Sequence, residues 1–483
     1  MARCRHYDNV AVAAPPSPPS VNGGDRRPKR PRVEDDDDDD DLISALPDDI
    51  LIGGIVSRLT IRDAVATGAV SARWRHLWKH APRISLRPSH IFGDVVSASR
   101  ENDDAQAADR LAAGAGARAP AHAVPPRAHA AVLDQSVEFA ASSRTQELHL
   151  SLAAGGEHPY DFPHWRFAGG GRLRRLVLSD VGLDVITAQQ QLGALEGLPQ
   201  LTQLHLTRVA VDDAGVASIL AACAALTVLE LNECHRLVHV AASHDGLRVL
   251  NVDGCGILES VAIESTTLLE FAYRGHKVDI KYLHTPTVVR LIIMLAKECP
   301  LGCVAIGGGA MPKLKRLFLQ FPSPLEARHE LQRQGWRFGS LSQLVLLFNT
   351  PWREHVATVA SLLVAAPFVK ELRVEAYGDL PVPPPSKQMI QWPKHSSPRM
   401  LESIVVGGFS GEPELMELAF FPLHKSPAIK TLTVDTHRRH FRSNDRGWTR
   451  EETEDPVRCY YARGVLWKHL APRIPSTVKL TVI

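Results

Sequence analysis

The feature that most constrains this chain is an LxxLxL pattern that returns through its second two-thirds. Clear copies are Leu173-Leu176-Leu178, Leu201-Leu204-Leu206, Leu226-Leu229-Leu231 and Leu247-Leu250-Val252. Looser copies follow at Leu268-Phe271-Tyr273 and Val288-Leu291-Ile293. Clear ones resume at Leu314-Leu317-Leu319, Leu341-Leu344-Leu346, Val369-Leu372-Val374, Leu401-Ile404-Val406 and Ile429-Leu432-Val434, and successive copies start 20 to 32 residues apart. The last two apolar positions of each copy lie two apart on a strand and so share a face, while the first sits where the chain turns into it. No single copy can cover that face. Stacked copies bury one another's leucines in a continuous core and leave the intervening strand positions exposed on a parallel sheet.

The spacing is that of leucine-rich repeats. The expected fold class is therefore α/β, with a horseshoe-like solenoid of parallel strands over residues 145–390. Cys234 and Cys255 fall three residues after Leu231 and Val252, at the Asn/Cys position of such repeats, and are assigned to structure. The exposed strand positions on the concave side are the candidates for binding a protein substrate. They are Arg175, Val177 and Ser179; Gln203, His205 and Thr207; Glu230 and Asn232; Asn251 and Asp253; Arg316, Phe318 and Gln320.

The chain begins quite differently. Residues 1–41 combine PPSPPS, a basic cluster (Arg26, Arg27, Lys29, Arg30, Arg32) and an aspartate run from Asp35 to Asp41. With nothing apolar to bury, this segment is expected to be disordered. The basic cluster has the form of a nuclear-import signal, or of a tail whose two charges neutralise each other. From residue 42 helix signals crowd together. Pro47 suits a first helical position, Asp48 and Asp49 favour the positive end of the helix dipole, and Leu51, Ile55 and Leu59 repeat at i+4, giving a helix over 47–59. Thr60-Ile61-Arg62-Asp63 starts a second helix, and Ser71 caps a third carrying Trp74, Leu77 and Trp78. Gly53 and Gly54 weigh against the first helix by roughly 1 kcal/mol each. So small a module, with a second ridge at Ile52 and Val56 and two tryptophans, should need a partner to cover its apolar surface.

LPDDIL, RDAV and VSARWRHLW resemble the F-box at the start of plant F-box/leucine-rich-repeat proteins, over about residues 42–90. Val70 and Ala72 stand where that pattern has Leu and a basic residue. The resemblance implies that the module docks on the Skp subunit of a cullin-based ubiquitin ligase, reaching the cullin only indirectly. Carried over residue by residue, the Skp contacts would come from Leu46, Pro47, Leu51, Ile55, Leu59, Val70, Trp74, Leu77 and Trp78. Some of these must hold the helices together instead, Trp74 being the more natural core residue and Pro47 the more natural contact.

Between module and repeats, residues 98–131 carry fourteen alanines in 34 positions with Gly114, Gly116, Pro120, Pro125 and Pro126, which reads as a linker or a poorly packed capping helix. At the other end, residues 391–436 place a helix (Glu414, Leu415, Leu418, Ala419, Leu423) between two apolar strands. That arrangement resembles the FBD region of the same plant proteins, and an FBD-like segment with a cap is expected over 391–483. A helix near 460–470 and a terminal strand at 477–483 would close the sheet edge.

Formal charge is +2 over 483 residues, which argues against a chain that binds nucleic acid throughout. No stretch reaches the ~18 apolar residues of a membrane helix, and the first ten residues lack an apolar signal core. The chain therefore reads as soluble, in the nucleus and/or cytoplasm. Seven cysteines suit reduced thiols. Cys299 and Cys303 lack a second ligand pair, and His76 and His80, four apart on a helix, lack a third ligand, so no metal is expected. GxSxG, HExxH and GxxxxGK[ST] are all missing. The cluster His437 to Arg442 suits phosphate, an acidic protein or a solvated loop. These features describe an adaptor with no catalytic residues and no cofactor. A ligase-independent scaffold and a nuclear nucleic-acid-associated protein are the alternatives.

Overall fold

The computed structural model describes residues 43, 45–87, 126–152, 160–167, 172–183, 198–295, 311–321, 337–348, 352–376, 398–444, 447–453 and 456–483. Residues 1–47 and 48–483 are two compact units. The described residues of the first make one turn, closed by the Leu46 amide donating to the Ile43 carbonyl at 3.2 Å. The basic cluster at 26–32 lies outside the described residues.

The second unit opens with α1 (Asp48–Gly54), α2 (Ile61–Ala66) and α3 (Trp74–Leu77). The first is shorter than the 47–59 expected from the leucine spacing. It stops at the glycine pair, and Val56–Arg58 continue only as a 3-10 turn, as two residues of low helix propensity in sequence would dictate. Thr60 caps α2, accepting from the Asp63 amide at 3.2 Å while its hydroxyl donates to the Asp63 carboxylate at 2.8 Å. Leu51, Val56, Ala64, Trp74 and Leu77 are the buried centre, and Arg73 binds Asp48 at 2.6 Å across α3 and α1.

Two residues past the last helical turn the chain is already in the sheet. Residues 83–86, assigned from sequence to the 42–90 helical module, are β1 (Arg83–Leu86), paired in parallel with β2 (Glu147–Ser151). The alanine-rich segment therefore lies inside the first repeat rather than ahead of the repeats. Its 98–125 part is outside the described residues. Residues 126–131 open α4 (Pro126–Ser142), which buries Leu133, Val137 and Ala140 at i, i+4 and i+7.

Among the described residues, repeat length limits which element follows a strand. After β3 (Arg175–Ser179) and β4 (Gln203–Thr207), a 25-residue unit has room for α5 (Asp213–Ala222), capped by Asp212 through the Gly215 amide at 2.8 Å. The next three units are 20 or 21 residues long and fit only a second strand. They alternate β5 (Val228–Asn232), β6 (His239–Ser243), β7 (Val249–Asp253), β8 (Ser260–Glu264), β9 (Glu270–Gly275) and β10 (Asp279–His284). The even-numbered members of that run form their own three-stranded parallel sheet. Longer units resume with β11 (Arg290–Leu295), β12 (Arg316–Phe321), β13 (Gln343–Phe348), α6 (Trp352–Ala365), β14 (Glu371–Ala376), β15 (Ser403–Gly407), α7 (Pro413–Lys425) and β16 (Thr431–Asp435). The hairpin β17 (Arg438–Asn444) and β18 (Gly447–Thr453), helix α8 (Pro456–Val465) and β19 (Lys479–Val482) complete the chain.

Among the described residues, fourteen strands form one parallel sheet, ordered β1-β2-β3-β4-β5-β7-β9-β11-β12-β13-β14-β15-β16-β19. Two unbroken apolar rows run across its inner side, from Ile84 through Leu176 and Leu250 to Leu432, and from Leu86 through Leu178 and Val252 to Val434. Cys234 and Cys255 are buried beside them and point at main-chain carbonyls of the preceding rung, Leu206 at 3.9 Å and Leu231 at 3.7 Å. Just past the strands, Asp180, Arg208 and Glu233 take left-handed backbone at φ 58°, 52° and 51°, with Gly254 at 64°. Each amide donates to the next rung's carbonyl at 2.7–3.0 Å. That bond offsets the roughly 1–2 kcal/mol that left-handed geometry costs a residue with a Cβ.

Candidate functional site

The helical module divides the nine Skp-contact candidates sharply. Leu51, Trp74 and Leu77 are 0%, 5% and 4% exposed. They are core residues, not contacts, because three helices this short can close only over their largest apolar side chains. Trp78 is half-buried, its ring 5.0 Å from that of Phe139 on α4 and its indole N–H donating to the Arg75 carbonyl at 3.0 Å. It joins the module to the first repeat. Leu46 and Ile55 are half-buried, while Pro47, Leu59 and Val70 are exposed, Val70 by 72%. Sequence reasoning missed Ile50 and Val65, exposed by 54% and 46%. Their signal was available, since each is apolar yet stands off the Leu51-Ile55 ridge.

Three rows of side chains cross the open face of the sheet. The first runs Arg83, Glu147, Arg175, Gln203, Val228 and, further on, Arg316. The second runs His149, Val177, His205, Glu230, Asn251, Ala272, Ile292 and Phe318. The third runs Ser179, Thr207, Asn232, Asp253 and Arg274, with Gln320 beyond. All the substrate-contact candidates named from sequence therefore stand in these rows, partly or fully exposed. Sequence reasoning missed His149, one rung before the first repeat it counted.

The polar part of this face is wired across the strands. Arg83 donates to Glu147 at 2.8 Å, and that hydrogen bond holds the Glu147 carboxyl below its usual range. His205 Nδ1 and Glu230 Oε2 are 2.6 Å apart, and Asn251 Nδ2 donates to Glu230 Oε1 at 3.1 Å. Burial pushes the Glu230 carboxyl up. The His205 and Asn251 contacts more than offset this, leaving it below the ordinary value. Burial, and next the positive charge of Arg175, lower the pKa of His149. At the rim Arg208 bridges Asp180 at 2.7 Å and Glu233 at 3.3 Å.

Among the described residues no group of three or more His, Cys, Asp or Glu is placed to hold a metal ion. His76 and His80 are exposed on the helical module. Residues 299–303 and the side chains of 438–442 lie outside the described part.

A parallel sheet of stacked LxxLxL rungs, closed by a short terminal strand, agrees with what sequence comparison finds. Residues 121–483, three-quarters of the chain, match the At1g61320/AtMIF1 leucine-rich-repeat domain. The chain belongs to that family. It is 31% identical over 199 residues to the F-box/LRR-repeat protein At3g03360 of Arabidopsis thaliana, 41% of this chain and 39% of that protein. It is 43% identical over 59 residues to the putative FBD-associated F-box protein At5g56440 of the same plant, 12% of this chain and 14% of that one. The chain thus spans well under half the length of either curated relative. The family match starts at residue 121, whereas the sheet starts at Arg83, so one rung, β1, lies ahead of the matched residues.

Proposed function

We propose that this protein is a non-catalytic substrate adaptor of a Skp-cullin-F-box ubiquitin ligase. Its helical module docks on Skp, and its sheet face holds a protein to be ubiquitinated. The observation that carries the reading is the joining of two surfaces in one unit. One is a helical module leaving Ile50, Leu59, Val65 and Val70 in solvent, and the other is a long repeat face rich in polar side chains. The names of the Arabidopsis relatives favour the same reading. The bond-making would belong to the RING subunit and the ubiquitin-conjugating enzyme, with this chain supplying proximity and orientation. Entry into the nucleus through Arg26, Arg27, Lys29, Arg30 and Arg32 is part of the proposal, and nucleic acid and membrane are not.

The test is co-purification of the full chain with a plant Skp subunit. Stoichiometric capture is expected, and Ile50→Asp with Val70→Asp should abolish it while leaving the melting temperature unchanged, because both side chains already stand in water. Capture that survives in a folded double variant would overturn the docking surface. A second reading, a scaffold that has lost Skp docking, is favoured by two features. The first helix stops at Gly54, and Ala72 replaces a basic residue of the F-box pattern. Absence of capture by folded wild-type protein would select it.

A further inference from the structure

The middle row of the open face changes character along the sheet. It is polar from β2 to β7, apart from Val177, and turns apolar at Ala272, Ile292, Phe318 and Val345. Four buried side-chain atoms without a hydrogen bond cluster on those rungs, His149 Nε2, His205 Nε2 and Asn251 Oδ1 in this row and Arg175 Nε in the row beside it. A buried polar atom left unpaired costs about 1–3 kcal/mol, and folded proteins keep few of them. Four on five consecutive rungs of one face point to partners brought by a ligand. The residues that carry them are partly exposed, so side-chain rearrangement alone brings them to a bound molecule.

The chemistry differs between the two ends. Arg175 makes no hydrogen bond or ion pair with the described residues, and its charge lowers the pKa of Glu147, His149 and Glu230 around it. Glu147 is already engaged by Arg83. This end presents a guanidinium that no carboxylate engages directly, with Glu147 and Glu230 within reach of its charge. Two rungs on, Glu230 has both oxygens occupied by His205 Nδ1 and Asn251 Nδ2. Asn251, which donates to Glu230 through Nδ2, leaves its Oδ1 as an acceptor. That end presents a carboxylate with the Asn251 acceptor beside it. The rungs are ~4.8 Å apart, so the ends are separated by roughly 10 Å. An extended peptide covers that distance in about three residues.

We propose that rungs β2 to β7 bind an extended peptide segment carrying an acidic side chain for Arg175 and, three residues away, a lysine or arginine for Glu230 and Asn251. The proposal deepens the substrate-recognition reading and rests on it. The probes are fluorescein-labelled ten-residue peptide pools with Asp/Glu and Lys/Arg fixed three apart, and the same pools with either or both charges replaced by alanine. Each is titrated by fluorescence anisotropy against the full chain. The doubly charged pool should bind about a hundredfold tighter than the uncharged pool, on the order of tenfold per charge. Arg175→Gln should remove the acidic preference and leave the basic one, and Glu230→Gln should do the reverse. Equal binding of all pools, or no binding of any, overturns the proposal whether or not either variant folds. So does a uniform loss across the pools in folded Arg175→Gln. Skp capture is measured on the same preparations. Lost capture with the peptide preference intact rejects the ligase reading alone, and intact capture without a preference rejects this proposal alone.

Discussion

Leu51 shows how a single side chain is misread when only its spacing is known. Its i+4 relation to Ile55 and Leu59 describes an apolar ridge, and a ridge serves equally to bury a helix or to dock one. In the fold it is wholly buried. Leu51→Ala should therefore destabilise the unit by about 2–5 kcal/mol in urea melts, a cavity effect, before it says anything of docking. His149 offers an electrostatic test. Arg175 contributes to the lowering of its pKa, so Arg175→Gln should move the His149 imidazole titration upward, read by NMR of the ring protons. Glu230 gives the opposite sign in stability. Its folded pKa lies below the unfolded one, so it contributes stability that is present above the ordinary carboxylate range and lost as pH falls through the lowered value. Glu230→Gln should flatten that acid limb of the melting-temperature curve.

Repeat length limited what could follow each strand, although the leucine pattern alone gives no expectation of second strands. The 20- and 21-residue units at 226–288 have no room for a helix and carry a second strand, while the units starting at 201, 341 and 401, of 25, 28 and 28 residues, carry α5, α6 and α7. The helix expected around Leu415, Leu418 and Ala419 buries those three side chains, and the terminal strand pairs in parallel with β16. Short or atypical elements escaped notice. Ala81-Ile84-Leu86 and Thr145-Leu148-Leu150 are complete rungs whose first position is Ala or Thr rather than Leu, Val or Ile, so a search that expects a large aliphatic residue there starts two strands late. The glycine pair shortens α1, and a Cβ at either position meets nothing within 4 Å. Gly53→Ala and Gly54→Ala should each raise stability by up to about 1 kcal/mol, measured by chemical melts, with no steric penalty.

Across the whole chain, the LxxLxL count was enough to define the repeat core from β3 onward, because recurring pairs of buried leucines on short strands have one way to stack. The candidate recognition surface was legible as rows of strand positions, but not as chemistry. Which polar atoms remain unpaired depends on cross-strand register, and register appears only once rungs of unequal length are aligned. The join between helices and sheet was the least visible of all, since nothing in the residues around Ala81 marks a domain boundary or the lack of one. Only Ala81 and Pro82 separate the last helical turn from β1, and the Pro82 carbonyl accepts the amides of Gln146 and Glu147 at 2.7 and 2.9 Å. Trp78 closes the same joint from the other side against Phe139. Trp78→Ala should loosen it, seen as faster hydrogen exchange at 83–86 and 126–142 than in the distal rungs. Such a joint has no slack. In an adaptor of the proposed kind, cargo on the sheet would be held at one bearing from whatever grips the helices, and only lysines within a narrow arc would be modified. Glycines inserted after Pro82 should widen that arc while leaving the affinity at both ends as it was.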